Sequence, residues 1–149
     1  MPIEILKIKY ARSFVDYELT IYQGNNRPSE DPKVAQVAAY FGSTPARHMF
    51  GALACAARMD RQSRYISHYV QQLGRTLNAV NTMINECDSY GWISVTKDAK
   101  GWRMVEATEF LVDCWVAYAD WHREVSRSHG LTDVSSAMHM ITTHTDAAQ

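Results

Sequence analysis

Two helix patterns separated by a single glycine lie in the middle of this 149-residue chain and limit what it can fold into. In residues 65–74 the apolar side chains recur at helical spacing, and Gly74 follows them at a position typical of a helix end. Thr76 is placed to cap a second helix, in which Val80, Ile84 and Cys87 share one face. The pattern predicts two short helices that are joined by a tight turn and share one core.

Residues 92–107 predict a two-stranded β-hairpin directly after the second helix. The segments WISVT and WRMVEA are rich in aromatic and β-branched residues, and the turn KDAKG between them contains Gly101. Helix patterns account for most of the remaining chain. We therefore predict a mainly α fold with one small β-hairpin, α+β in class.

The second helix carries an unusual outer face. Asn78, Asn81, Thr82 and Asn85 lie opposite its apolar positions. All four are poor helix formers, and together they forgo about 2 kcal/mol of helix stability relative to alanine. An asparagine can hydrogen-bond the N6 and N7 edge of adenine, and a threonine offers a hydroxyl and a methyl group to thymine. The face predicts contact with bases, although a merely solvated polar face would show the same pattern.

Charge is distributed unevenly along the chain, although its net value is only −1. Residues 58–103 contain seven basic and four acidic residues and carry +3, whereas the remainder carries −4. A nearly neutral protein can therefore present a basic surface to the phosphates of a nucleic acid. The candidates for phosphate contact are Arg61, Arg64, Arg75, Lys97, Lys100 and Arg103.

Capping signals predict where the other helices begin. Asp31 and Thr44 are each followed by a proline, and they predict helices that end near residues 42 and 59. We predict an N-terminal helix over residues 8–22 and a loop over residues 24–29. Residues 3–10 also alternate weakly, as a strand would.

A long helix is predicted between the capping Thr108 and Gly130. Its apolar side chains form two stripes, which is more surface than a lone helix on a small domain usually buries. We therefore expect this helix to take part in a subunit interface together with the N-terminal helix. The residues beyond it, which include His139 and His144, are expected to form a mobile tail.

Taken in order, residues 44–110 resemble the winged helix-turn-helix of the MarR family of bacterial transcription regulators. The segment GRTLNAVNTMINECDSYGWI is similar to that family's turn and recognition helix, and the hairpin that follows is similar to its wing. In the wing, the similar positions are Asp98, Arg103, Val105 and Thr108. This wing has a single arginine where the family has several. The resemblance implies a winged helix-turn-helix over residues 44–107, flanked by dimerisation helices in residues 1–43 and 108–149.

The resemblance implies a homodimer that binds a palindromic operator in double-stranded DNA. Such a dimer would regulate transcription, most simply as a repressor. The base-edge residues would then be Thr76, Asn78, Asn81, Thr82 and Asn85. The low total basicity keeps a second interpretation open, a winged-helix module that binds another protein. A steep fall of affinity with salt would distinguish DNA binding from that alternative.

The resemblance also implies a small aromatic effector. The candidates for its binding site are Tyr10, Phe14, Tyr17, His48, Trp115 and His122. Aromatic residues at helical spacing equally fit a packed core, and the sequence leaves both interpretations open.

No pattern in the sequence is typical of catalysis. The six histidines include no i, i+4 pair with acidic support, and the three cysteines form no CxxC motif. We therefore expect no enzyme, no metal and no cofactor, and we expect reduced, buried thiols. No apolar run is long enough to span a membrane and the N-terminus has no signal-peptide core, so we expect a cytoplasmic protein with no membrane partner.

Overall fold

The structure is a computed structural model that describes residues 2–23 and 31–148, with side chains up to residue 144. The loop predicted over residues 24–29 lies outside the described residues. The described chain forms two compact units. We call residues 31–117 the winged unit, and residues 2–23 with residues 118–148 the terminal unit. The functional division expected at residues 43 and 107 stays a prediction.

Helices form most of the described chain, as the sequence predicts. Along the chain the elements are α1 (Ile3–Gln23), α2 (Pro32–Phe41), α3 (Pro45–Met59), β1 (Arg64–Tyr65), α4 (Ile66–Leu73), α5 (Leu77–Ser89), β2 (Ile93–Lys97), β3 (Arg103–Ala107), α6 (Glu109–Ser128) and α7 (Leu131–Ala148).

The helix ends of the winged unit follow from local chemistry. The side chains of Asp31 and Thr44 accept hydrogen bonds from backbone N–H groups in the first turns of α2 and α3. Gly74 adopts φ 61°, a left-handed conformation that costs glycine little, and it ends α4. Thr76 Oγ1 accepts a hydrogen bond from Ala79 N at 3.1 Å and begins α5. These predicted ends are confirmed.

The β-sheet of the winged unit has three antiparallel strands in the order β1-β3-β2. Ile93 lies opposite Ala107 and Lys97 lies opposite Arg103, so β2 and β3 form the predicted hairpin. Arg64 and Tyr65 add a short third strand against the far edge of β3. The two-stranded prediction was incomplete because a strand of two residues has no periodicity, and only its distant partner defines it.

One core joins the helices of the winged unit to this sheet. Phe50 from α3, Ile84 from α5 and Leu111 from α6 are fully buried in it. Tyr69 of α4 is also buried, and its hydroxyl donates a 2.7 Å hydrogen bond to the carbonyl oxygen of Val105 in β3. Burial of one side of α5 against this core turns its opposite side to solvent.

Two predictions for the terminal unit were wrong. Helix α1 begins at Ile3 rather than near residue 8, so residues 3–10 are helical despite their weak alternation. Residues 131–148 form helix α7 instead of a mobile tail. Leu131, Val134 and Met138 recur at helical spacing along α7, which packs along α1. Packing of such an apolar stripe is what usually stabilises a helix of moderate propensity.

All three cysteines are reduced and buried, as expected. Burial raises the pKa of Cys55 and that of Cys87 to about 12 each. Burial also raises the pKa of Cys114. Thiols with raised pKa values react slowly because the thiolate is the reactive form.

Candidate nucleic-acid interface

Helix α5 presents a polar face to solvent because its other face is held in the core. Val80, Ile84 and Cys87 are fully buried, as predicted. On the opposite side the side chains of Asn78, Thr82 and Asn85 are exposed and that of Asn81 is half-buried. The four residues are thus brought onto one surface of a helix whose start is fixed by Thr76 and Gly74.

Two of the predicted base-contacting hydroxyls already make bonds within the helix. Thr76 Oγ1 accepts from Ala79 N, and Thr82 Oγ1 donates to the carbonyl oxygen of Asn78 at 2.9 Å. A hydroxyl group has one donor and two acceptor positions, so Thr76 keeps its donor and Thr82 keeps its acceptor positions. The side-chain amides of Asn78 and Asn85 make no hydrogen bond to other described residues. These two amides are the groups of α5 most free to bind a ligand.

Asn81 and Arg103 join helix α5 to the hairpin. The Arg103 guanidinium on β3 donates through Nη2 to Asn81 Oδ1 at 3.0 Å. A guanidinium has no acceptor, so the amide of Asn81 must turn its oxygen towards Arg103 and its NH2 group away. Arg103 is therefore held against α5, and Asn81 has one of its acceptor positions occupied.

The tip of the hairpin is organised by Asp98. Its Oδ1 accepts hydrogen bonds from the backbone N–H groups of Lys100 and Trp102, both at 2.9 Å. Its Oδ2 accepts a 2.8 Å hydrogen bond from the hydroxyl of Tyr65, in β1. The Tyr65 hydroxyl and these backbone donors hold the pKa of the Asp98 carboxyl below its usual range. The carboxylate thus closes the turn and fastens it to β1.

We expect the variant Asp98→Asn to melt at a lower temperature than wild type at neutral pH, and this difference to disappear in acid. Since the pKa of Asp98 is lower in the folded protein than in the unfolded chain, where it is about 3.9, its stabilisation is fully present above that value. It is lost as the pH falls through the lower, folded-state pKa. Thermal unfolding of both proteins across this pH range measures the effect. An unchanged difference in Tm at about pH 2 would contradict the assignment.

The predicted phosphate-contacting residues all lie in the winged unit. Arg61, Arg75, Lys97 and Lys100 are exposed, whereas Arg64 and Arg103 are half-buried. Among the described residues none of these six makes an ion pair with a carboxylate, although Arg47 pairs with Glu86 and Arg58 with Glu106. Their positive charges are therefore available to anions, and their roles stay predictions.

No role at the interface was predicted for Tyr65 or Trp102. Tyr65 was placed in a helix, and its bond to Asp98 spans 33 residues, so no local signal could reveal it. Trp102 was placed as an apolar strand residue, but it lies just before β3 and is 66% exposed.

The candidate effector residues are divided between the two units. In the terminal unit, Tyr10 stacks on Phe14, Phe14 contacts Tyr17, and the Tyr17 hydroxyl is hydrogen-bonded to Nδ1 of His122. In the winged unit the rings of His48 and Trp115 lie 5.6 Å apart between centroids.

A cavity of about 400 Å³ in the terminal unit is lined by three of these aromatic rings. Its lining residues are Tyr10, Phe14, Tyr17, Ser126, Leu131, Thr132, Ser135 and Ser136. The lining combines aromatic rings with hydroxyl groups. The volume lies in the range of about 300–1,000 Å³ that is usual for small-molecule sites.

Two short helices joined at Gly74, a three-stranded sheet and a hairpin beside the second helix together define a winged helix-turn-helix. No family model and no curated protein matches the sequence. Solved structures do match: a MepR mutant from a multidrug-resistant S. aureus clinical isolate has a TM-score of 0.55 at 14% identity, over 89% of this chain and 96% of its own. A complex of S. aureus MepR with DNA has a TM-score of 0.52 at 16% identity, over 78% of this chain and 90% of that one.

A third match is S. aureus MepR bound to ethidium bromide, with a TM-score of 0.50 at 13% identity over 78% of this chain and 86% of that chain. At such identities the likeness shows the fold. It confirms the predicted class, a mainly helical winged helix-turn-helix with a small β-sheet and flanking terminal helices.

In the described part of the chain, no helix is long and apolar enough to cross a membrane. Over the same residues, no group of three or more His, Cys, Asp or Glu side chains is arranged to hold a metal ion.

Proposed function

We propose that this protein is a sequence-specific regulator of transcription of the MarR type, which binds a palindromic operator in double-stranded DNA as a homodimer and represses by occluding the promoter. It acts by binding rather than by catalysis, in the cytoplasm of a bacterial cell. One observation carries the proposal: α5 exposes the side-chain amides of Asn78 and Asn85, which make no hydrogen bonds to other described residues. The hairpin beside them carries two lysines that pair with no carboxylate among those residues. The solved complex of MepR with DNA supports it, because the two proteins share a fold.

The exposed face of α5 fits the major groove of DNA. An α-helix fills this groove, where each base pair presents its own pattern of donors and acceptors. The amides of Asn78 and Asn85 can each donate and accept, which is what the N6 and N7 edge of adenine requires. Because Asn81 already binds Arg103 through its oxygen, its NH2 group is the donor it offers to an acceptor on a base.

Phosphate contacts come from the charged residues around this helix. Arg75 lies in the turn before α5, and Lys97 and Lys100 lie at the end of the hairpin. All three are exposed and lack carboxylate partners among the described residues. Such contacts fix the register of the protein on the duplex and release counterions, so binding weakens as the salt concentration rises.

A homodimer is supported by an apolar stripe along the outer side of α1. Ile5, Ile8, Val15, Leu19 and Tyr22 are all exposed, at spacings of three, seven, four and three residues. This is the heptad spacing by which one helix packs along another. The opposite side of α1, which includes Leu6 and Tyr17, faces its own unit, so the exposed stripe is available to a second copy of the chain.

The double variant Val15→Glu/Leu19→Glu is expected to convert the dimer into a monomer at micromolar concentration. It places two buried like charges opposite their own copies in the interface, and each unpaired buried charge costs several kcal/mol. Sedimentation velocity measures the change in mass. Lys9→Glu, an exposed charge change on the flank of the same helix, should leave the dimer intact. A double variant that remains dimeric would exclude this stripe from the interface.

We further propose that the 400 Å³ cavity of the terminal unit binds a small aromatic effector that releases the protein from DNA. MepR bound to ethidium bromide supports an aromatic ligand in a protein of this fold. Thermal unfolding with benzoate, phenol and ethidium as probes tests the site. A probe that raises the Tm of wild type should raise that of Phe14→Ala by less. It should raise that of Phe110→Ala, a control outside the cavity, by as much as that of wild type. Equal stabilisation of both variants would place the ligand elsewhere.

The decisive experiment for DNA binding is selection of operator sequences from a pool of random duplexes at two salt concentrations. We expect an enriched inverted repeat and an affinity that falls steeply with salt. In Lys100→Ala the slope of log affinity against log salt should decrease by about 1, because one phosphate contact is lost. A folded protein that enriches no sequence and shows no salt-dependent binding would favour the alternative, a module that binds another protein through α5.

A further inference from the structure

Leu77 is an exposed leucine at the start of helix α5. Its side chain is 55% exposed, whereas those of Val80 and Ile84 in the same helix are fully buried. A single exposed apolar side chain is ordinary on a protein surface. What distinguishes Leu77 is its position in the helix and the residue that follows it one turn later.

The position of Leu77 is one at which a helix-turn-helix meets the bases. Thr76 caps α5, so Leu77 opens its first turn. In a helix-turn-helix that binds DNA, the N-terminal residues of the second helix contact the base edges. Leu77 lies between the exposed Arg75 and Asn78 and interrupts an otherwise polar surface. A leucine can neither bind a phosphate nor hydrogen-bond a base, so the partners open to it on DNA are apolar groups.

Asn81 lies one helical turn after Leu77. Side chains four residues apart on a helix are neighbours, with about 5–6 Å between their Cβ atoms. Each Cα–Cβ bond is tilted towards the N-terminus of the helix, so the Asn81 side chain starts out in the direction of Leu77. The Asn81 oxygen accepts from Arg103 Nη2 at 3.0 Å, which leaves the NH2 group as the donor. An apolar group and a hydrogen-bond donor are therefore placed side by side.

Thymine is the base whose major-groove edge matches this pair. It presents the O4 acceptor and the C5-methyl group. Adenine presents a donor and an acceptor, guanine presents two acceptors and cytosine presents a donor, and none of these three bases carries a methyl group. A leucine beside the NH2 group of an asparagine thus complements thymine better than any other base.

We propose that Leu77 is a specificity-determining residue, which packs against the C5-methyl group of one thymine in each half-site while Asn81 donates to O4 of the same base. This inference rests on the proposed DNA-binding function. Because the leucine is exposed before DNA binds, contact with the methyl group removes apolar surface of both partners from water. The selected operator should therefore contain a fixed thymine at one position of each half-site.

The test replaces each thymine of the selected operator in turn with deoxyuridine, in both half-sites. Deoxyuridine differs from thymidine only in lacking the C5-methyl group. At one position the wild-type dimer should lose about 4-fold in affinity for each methyl group removed, the factor expected for burial of one such group. Leu77→Ala should bind the thymine and deoxyuridine operators equally, and Leu77→Met should keep most of the difference.

A second base substitution tests the contribution of Asn81. At the same position, 5-methylcytosine paired with guanine keeps the methyl group and replaces O4 with an amino group. Wild type should bind this operator more weakly than the thymine operator, because two donors then face each other. Equal binding to the two operators would overturn the contact of Asn81 with O4.

Control measurements separate this inference from the function on which it rests. Both operators are compared with the same protein, so a change in stability does not imitate a change in methyl preference. Met59→Ala removes an equally exposed side chain from α3 and should keep the wild-type preference. A preference that persists in Leu77→Ala, or an operator in which no thymine methyl group matters, would overturn the role of Leu77 and leave the proposed function standing. Failure of wild type to bind any duplex would overturn both.

Discussion

The double variant Asn78→Ala/Asn85→Ala is expected to be more stable than wild type and to bind its operator more weakly. The free energy of unfolding should rise by about 1 kcal/mol, since each exposed asparagine in a helix costs about 0.5–0.7 kcal/mol relative to alanine. Affinity for the selected operator should fall about a hundredfold, because each amide contributes about 1–3 kcal/mol of base discrimination. Urea unfolding measures the first effect, and titration of operator and random duplexes measures the second.

The control for this pair is Gln71→Ala/Gln72→Ala, which removes two exposed amides from α4. It should leave the preference for operator over random DNA unchanged. If the Asn78/Asn85 variant weakened binding to both duplexes by the same factor, these residues would be phosphate contacts and would carry no sequence specificity. Equal binding by wild type and variant would remove α5 from the DNA interface.

Gly51→Val is expected to lower the free energy of unfolding by about 3 kcal/mol, a large overpacking effect. Gly51 is buried in α3, and a Cβ atom placed on it would lie 2.7 Å from Cδ1 of Phe41 and would also overlap the ring of Trp115. Those two rings pack on each other with centroids 5.2 Å apart and close the space above the glycine. The absence of a side chain at residue 51 is what lets α3 approach them.

Ala56→Val is the matched control, because it adds the same branched side chain to the exposed side of α3. It should cost only the difference in helix propensity, about 0.5–0.7 kcal/mol. Urea unfolding of the three proteins gives both values. Equal stabilities for the two variants would mean that the rings of Phe41 and Trp115 move aside at little cost.

The parts of the fold that follow from neighbouring residues could be predicted from the sequence. A threonine side-chain oxygen accepts from the backbone N–H three residues later, and a glycine readily adopts positive φ. Both effects act within one turn of helix. The C-terminal end of α4 and the start of α5 were therefore predicted correctly. Strand β1 and helix α7 were missed because β1 is defined by β3, about 40 residues away, and α7 forms by packing along α1.

The same distinction applies to the candidate interface. Helical periodicity was enough to place Asn78 and Asn85 opposite the buried Val80 and Ile84. It gave no information about Arg103, whose partner on α5 lies 22 residues earlier in the chain. Strand alternation likewise gave Trp102 an apolar strand position, although it lies just outside β3, where the end of the hairpin exposes it.

Under the proposed function, the bond between Arg103 and Asn81 links the operator preference of α5 to the hairpin. The two residues lie on different elements, yet the guanidinium orients the amide, so a substitution at either one changes which atom of Asn81 faces outward. Mutations in the hairpin can therefore alter the base preferred by the helix. In a genetic selection for a shifted operator, second-site suppressors of Asn81 variants should be found at residue 103, and the pair would evolve as one unit.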